Sequence, residues 1–327
     1  MFLPQIQFSL WADFIEREFI DTGLKRLVDQ GIVNGATSNP AIFKNAILTS
    51  PAYQLQLEEL RNHSPKAKYE ALAIYDIQKA ADALRPLFDR GDDGYVSIEV
   101  DPYLCDDAVG TIEEGRRLYL SIGRPNVMIK VPATDAGFEA MEMLVSEGIP
   151  VNATLIFSKA QALACANSFA RGLEKGSKDV DTVISIFVSR FDRALDEALE
   201  EKGVQPALTG VYNAAEIYAA IETMEVPRCR ALFASTGVKG GGLRPSYYID
   251  ELLAAHSVNT APIETIEAFV EHGEREAKLP IESERIEAHF DALAAAGVDM
   301  ESVYSRLMHE GLEAFKSAFA EILAELE

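Results

Sequence analysis

The feature that most constrains this chain is an alternation repeated along most of its length: short apolar, β-branched runs, each followed by residues at helical spacing. Such runs occupy residues 8–13, 32–39, 95–100, 127–134, 151–157, 183–189, 231–235 and 257–261. Apolar runs bounded by Gly or Pro signals mark strands buried on both faces, as in a parallel sheet. Parallel neighbours need long crossovers, and helical spacing at 14–30, 106–123, 136–147, 159–175, 191–201 and 207–224 supplies them. Eight units without a hydrophilic linker predict an α/β fold, a single (β/α)8 TIM barrel occupying residues 1–327 as one domain. Two stretches exceed what crossovers require. Residues 41–90, broken near Ser50-Pro51 and His63-Ser64-Pro65, predict two or three helices inserted after the second strand; residues 281–327 predict an acidic C-terminal helical extension. The alternative, an open doubly wound sheet, lacks the Gly-rich turn that should follow its first strand. Gly240-Gly241-Gly242 has neither dinucleotide nor P-loop spacing and is expected to be a mobile loop.

Charge and composition remove several function classes. Thirty basic against 52 acidic residues give 30 − 52 = −22, which argues against a nucleic-acid partner. An anionic small substrate would instead need a local basic cluster set against that field. Cys105, Cys165 and Cys229 are too scattered for a disulfide framework or a zinc site, and the five histidines form no HExxH pair. No metal or other cofactor is therefore expected. There is neither a signal-peptide pattern nor a run of 18 apolar residues, so the expectation is a cytoplasmic protein without membrane contact.

Within this frame the fourth run, Val127-Met-Ile-Lys130-Val-Pro-Ala-Thr134, is unusual in carrying a lysine at its centre. Either its stem snorkels to solvent, or burial lowers its pKa and leaves a nucleophilic free amine. A barrel places its chemistry at the C-terminal ends of its strands. In that zone lie Asp13, Asn39, Glu99, Lys130, Asn152 with Thr154, Ser185 with Arg190, and Ser235 followed by Lys239 and Arg244. Each has an ordinary alternative. Asp13 suits a helix N-cap, Asn39 a turn before Pro40, Glu99 an exposed strand face, and Arg190 a surface pair with Asp192. Their convergence on one mouth favours function. A buried amine with two carboxylates, amides and hydroxyls suits a Schiff-base lyase or transferase. The basic residues after strands six and seven suit a phosphorylated sugar.

The segments Leu-Trp-Ala-Asp13, Gly-Ala-Thr-Ser-Asn39-Pro-Ala-Ile-Phe, Ser-Ile-Glu99-Val, Val-Met-Ile-Lys130-Val-Pro-Ala-Thr, Val-Asn152-Ala-Thr154-Leu-Ile-Phe-Ser and Leu-Phe-Ala-Ser235-Thr-Gly-Val-Lys239 resemble transaldolase, in order, from about residue 9 to 270. The resemblance implies reversible transfer of a dihydroxyacetone unit between sugar phosphates in the non-oxidative pentose phosphate pathway. It implies Lys130 as the Schiff-base nucleophile, and Glu99 and Thr154 as holders of a proton-shuttling water. Asp13 would be the base on the substrate C4 hydroxyl. Asn39, Asn152 and Ser185 would bind the retained fragment, and Arg190 and Ser235 the phosphate. Where some members carry an arginine two residues after the serine, this chain has Gly237, and Lys239 stands nearby as a candidate substitute.

The nearest rival is a fructose 6-phosphate aldolase. Its relatives carry Gln at the Glu99 position and Tyr at the Phe187 position, so Glu99 and Phe187 favour the transferase. A catalytically inactive binding protein is the alternative from another class. The expected assembly is a monomer or homodimer.

Overall fold

A computed structural model describes residues 1–176, 179–239 and 242–327. The apolar runs form eight strands: β1 Ser9–Ala12, β2 Gly35–Thr37, β3 Val96–Glu99, β4 Val127–Pro132, β5 Val151–Ile156, β6 Thr182–Phe187, β7 Cys229–Ala234 and β8 Ser257–Ala261. All pair in parallel, and the sheet closes in sequence order into a barrel, with Ser9 opposite Val258 and Ala12 opposite Ala261 across the seam. The (β/α)8 TIM barrel is thus the observed architecture. Every strand residue except Arg230 is buried, as expected of strands covered on both faces. Gly242 is described, but Gly240 and Gly241 of the glycine run lie outside the described residues.

The second strand is shorter than its apolar run. The amides of Ile32 and Val33 donate back to the Leu27 carbonyl and so complete the preceding helix instead of joining the ladder. At its other end, Asn39 Oδ1 accepts from the Ile42 amide and caps helix Pro40–Thr49. The first crossover is also shorter than its spacing predicted. It begins at Arg17, because Glu16, not Asp13, accepts the Phe19 amide.

After β2 come three helices, Pro40–Thr49, Gln54–Glu59 and Pro65–Phe88. The breaks fall at the two Ser-Pro steps: Ser50 and Ser64 accept amide hydrogens at each restart, and proline sits in the first turn. At the other end of the chain, helices Ser283–Ala295 and Met300–Glu325 form the extension. The last of these lays Val303, Leu307, Phe315, Phe319 and Ile322 against the barrel and the inserted helices. It is fastened by Tyr304 Oη donating to Asn213 Oδ1 (3.0 Å) and by the Lys44–Glu321 ion pair. Lys68 Nζ donates to the Leu326 carbonyl at 2.6 Å. Among the described residues no helix is long and apolar enough to cross a membrane.

Candidate active site

Strand register assembles the centre of the site. Glu99 on β3 and Asn152 on β5 are the direct ladder neighbours of Lys130 on β4. Residues in register on adjacent strands share a face, so an acid, the amine and an amide stand side by side within the barrel. Lys130 is 5% exposed, which excludes the snorkelling alternative. Its Nζ donates to the Ser38 carbonyl at 3.2 Å and lies 3.8 Å from Glu99 Oε2. Asn152 extends the layer: its Nδ2 donates to Ser97 Oγ (3.0 Å), and its Oδ1 accepts from Ser185 Oγ (2.6 Å). Four strands, β3 to β6, are thereby joined through side chains. Two buried oxygens in this region, Glu99 Oε2 and Thr154 Oγ1, make no hydrogen bond to the described residues. Just beyond Thr154 the β5–β6 register shifts, and Leu155 takes a left-handed φ of 59°, a bulge of the kind that re-aims side chains at a barrel rim.

Asp13 follows β1, and its amide still donates to the Ala261 carbonyl, so it remains fixed to the barrel. Its Oδ1 accepts from Thr37 Oγ1 at 2.7 Å, and that hydroxyl lies 2.6 Å from Thr260 Oγ1. Burial raises the Asp13 pKa, against the pull of Lys130 and Thr37. Burial also dominates at Glu99, pushing its pKa up to about 7; Lys130 and Arg190 oppose the shift, and Asp13 adds to it. The amine and both acids are electrostatically coupled, and one carboxyl is poised near neutrality, as proton-transfer groups require.

A cavity of about 270 Å³ opens above this layer, with Asp13, Asn39, Lys130, Ser185 and Phe187 in its wall. Its far side is basic. Arg190 sits in the first turn of helix Ser189–Glu200, with its guanidinium carbon 5.0 Å from the centre of the Phe187 ring. Arg193, on the same side one turn later, and the exposed Lys239 complete the rim. Ser235 joins them, its hydroxyl 3.0 Å from Ser189 Oγ. Arg190 does not pair with Asp192; that carboxylate is occupied by the Gly210 amide and the Tyr248 hydroxyl.

Not every candidate reaches this cavity. Glu99, Asn152 and Thr154 are absent from its wall; Glu99 instead borders a narrower crevice with Tyr69 and Asp101. Arg244 is turned away, 3.5 Å from Asp250 and 3.8 Å from Glu274. Conversely, Thr37, Thr260, Arg193 and Phe315 line the cavity although the strand-end reading did not select them. Thr260 follows the same rule as the others, a polar residue near the end of β8. Phe315 comes from the C-terminal helix, and its ring centre lies 5.9 Å from Lys130 Nζ. Among the described residues no group of three His, Cys, Asp or Glu is placed to hold a metal ion.

Known proteins resemble this chain along nearly all of its length. The family model described as transaldolase/fructose-6-phosphate aldolase matches residues 10–326. A transaldolase of Campylobacter jejuni (strain RM1221) is 46% identical over 330 aligned positions, covering 98% of this chain and 99% of that protein. A transaldolase of Helicobacter pylori (strain Shi470) is 42% identical over 319 positions, covering 97% and 99%.

Proposed function

Because this chain belongs to the transaldolase/fructose-6-phosphate aldolase family, we propose that it catalyses the transaldolase reaction. In this reading it moves a dihydroxyacetone unit from sedoheptulose 7-phosphate to glyceraldehyde 3-phosphate, giving erythrose 4-phosphate and fructose 6-phosphate, and the reverse. The observation that carries the reading is a lysine amine buried 3.8 Å from a carboxyl whose pKa lies near 7.

Lys130 Nζ attacks the substrate C2 ketone to form a carbinolamine. Glu99 and Thr154, each with a buried oxygen that has no hydrogen-bond partner among the described residues, hold the water through which a proton passes to the departing oxygen, and the iminium forms. Asp13 takes the proton of the C4 hydroxyl as the C3–C4 bond breaks, and the aldose phosphate leaves. The electron pair of that bond is held by the iminium as an enamine, which adds to the acceptor aldehyde when the steps run backward. Asn39, whose Oδ1 is committed to the helix cap, donates its amide hydrogens to the fragment. Ser185, in the cavity wall, meets its hydroxyls, and Asn152 behind it holds the Ser185 hydroxyl in place. The phosphate is met by Arg190, Ser235 and Lys239, and by Arg193 in addition. Phe187 offers no hydrogen bond to water, which favours transfer over release of free dihydroxyacetone.

We further read residues 1–327 as one barrel domain acting in the cytoplasm as a monomer or homodimer, with 41–90 an insertion and 281–327 an extension of it. The test is a coupled assay on fructose 6-phosphate with and without erythrose 4-phosphate, together with borohydride trapping and peptide mapping. Glyceraldehyde 3-phosphate formation that depends on the acceptor, with an adduct on Lys130, is the expected result. Absence of that adduct would remove the mechanism. Equal rates without the acceptor would make the enzyme an aldolase.

A further inference from the structure

We propose that Phe315, on the C-terminal helix, is a specificity-determining residue whose ring keeps water from the lysine-bound fragment, so that the fragment is handed to an acceptor and not released. The inference rests on the Schiff-base reading of Lys130.

Most of the cavity wall is polar or charged, yet this ring lies in it, 5% exposed and 5.9 Å from the amine. Phe315 stands on the stripe formed by Leu307, Gly311, Phe315 and Phe319, which faces the body of the protein at i, i+4 spacing. Its neighbours on that stripe explain why it is held there. At Gly311 the helix approaches so closely that a Cβ would stand 2.9 Å from Leu155 Cδ2 and 3.1 Å from Arg190 Nη1. One turn beyond, Phe319 packs edge-on against Tyr69 with ring centres 5.2 Å apart. Lys68 holds the last turn through the Leu326 carbonyl. Between Gly311 and Phe319 the ring has little freedom to withdraw.

The chemistry supplies the reason for an aromatic group. Once the aldose phosphate has left, the enamine carbon can attack an aldehyde or take a proton from water. Protonation returns the iminium, water adds at C2, and the carbinolamine collapses to release dihydroxyacetone and the free amine. Together these steps consume one water, its proton going to the enamine carbon and its hydroxide to C2, and a phenyl ring neither donates nor accepts a hydrogen bond with which to position that water. Its π face also sits within the distance at which a cationic nitrogen is stabilised.

The experiment compares wild type, Phe315→Ala, Phe315→Val and Leu307→Ala. For each, the rate of dihydroxyacetone release from fructose 6-phosphate alone is divided by the rate of transfer to erythrose 4-phosphate. Borohydride labelling of Lys130 is measured in parallel. Opening a water path to a sequestered intermediate should raise the ratio at least about tenfold in Phe315→Ala and less in Phe315→Val. Leu307→Ala, which loosens the same helix two turns away, should leave it within about twofold. A ratio unchanged in both Phe315 variants, with transfer and labelling intact in wild type, overturns the proposal. So does an equal rise in Leu307→Ala, since helix loosening would then be the cause. A wild-type enzyme that neither transfers nor labels overturns the Schiff-base reading itself and this inference with it.

Discussion

Replacing Glu99 by Gln should make the protein relatively more stable as pH rises, by an amount that the site itself sets. The Glu99 carboxyl has its pKa pushed from an ordinary 4.5 to about 7, mainly by burial. A raised carboxyl pKa means that the fold favours the protonated form. Stability is therefore complete below the unfolded value and declines as pH climbs through the folded one. At about 1.4 kcal/mol per pKa unit, the gap between 4.5 and about 7 corresponds to roughly 3 kcal/mol. Glutamine has no proton to lose and escapes that decline. Both variant and wild type carry the same remaining titratable groups, so their pH dependences largely cancel in the difference. Urea denaturation of both proteins at pH 5 and pH 8 measures it. The variant should gain most of those roughly 3 kcal/mol on wild type between the two conditions, whatever its constant offset from losing the partner of Lys130. An offset that does not change with pH, or that moves against the variant, would refute the claim that burial outweighs the lysine 3.8 Å away.

Three further outcomes follow from the geometry. Arg193→Ala removes an exposed cation from the basic rim and should raise KM for fructose 6-phosphate about tenfold, with kcat nearly unchanged; an equal effect on unphosphorylated fructose would show that it does not meet the phosphate. Gly311→Ala should press on the Arg190 guanidinium, which lies 3.1 Å from the new Cβ, and raise KM severalfold. Crowding against Leu155, whose Cδ2 lies 2.9 Å from the new Cβ, should offset the up to about 1 kcal/mol that helix propensity adds; a KM equal to wild type would show that Arg190 does not hold substrate in its present position. Asn152→Ala breaks two buried hydrogen bonds, to Ser97 and Ser185, and should cost about 1–3 kcal/mol in denaturant titrations as well as activity; an unchanged midpoint would contradict the role of that layer.

The barrel was legible because burial on both faces makes each strand an apolar run, and Lys130 stood out against one of them. The ends of elements were harder to read, since they depend on which partner an amide finds. Residues 32–39 look like a full strand, but the Ile32 and Val33 amides turn back to Leu27 and only Gly35–Thr37 pairs. Asp13 could equally have capped a helix until Glu16 was seen to do so. Arg244 and Lys239 were close in sequence to the same strand end, yet a buried Asp250 draws Arg244 away. Phe315 was visible only as one apolar position among many at helical spacing. Periodicity shows that such a residue faces something; it does not show that it faces an amine contributed nearly two hundred residues earlier.

The helix that roofs the lysine is synthesised after every strand of the barrel. Chains fold from their amino end as they emerge, so all eight strands, with the amine and both acids, exist before Phe315 has been added. Until that helix has been made and Lys68 can grip the Leu326 carbonyl, Phe315 does not stand over the amine. A barrel that carries its own amine and both acids therefore owes the cover over them to a separate, later piece of the chain.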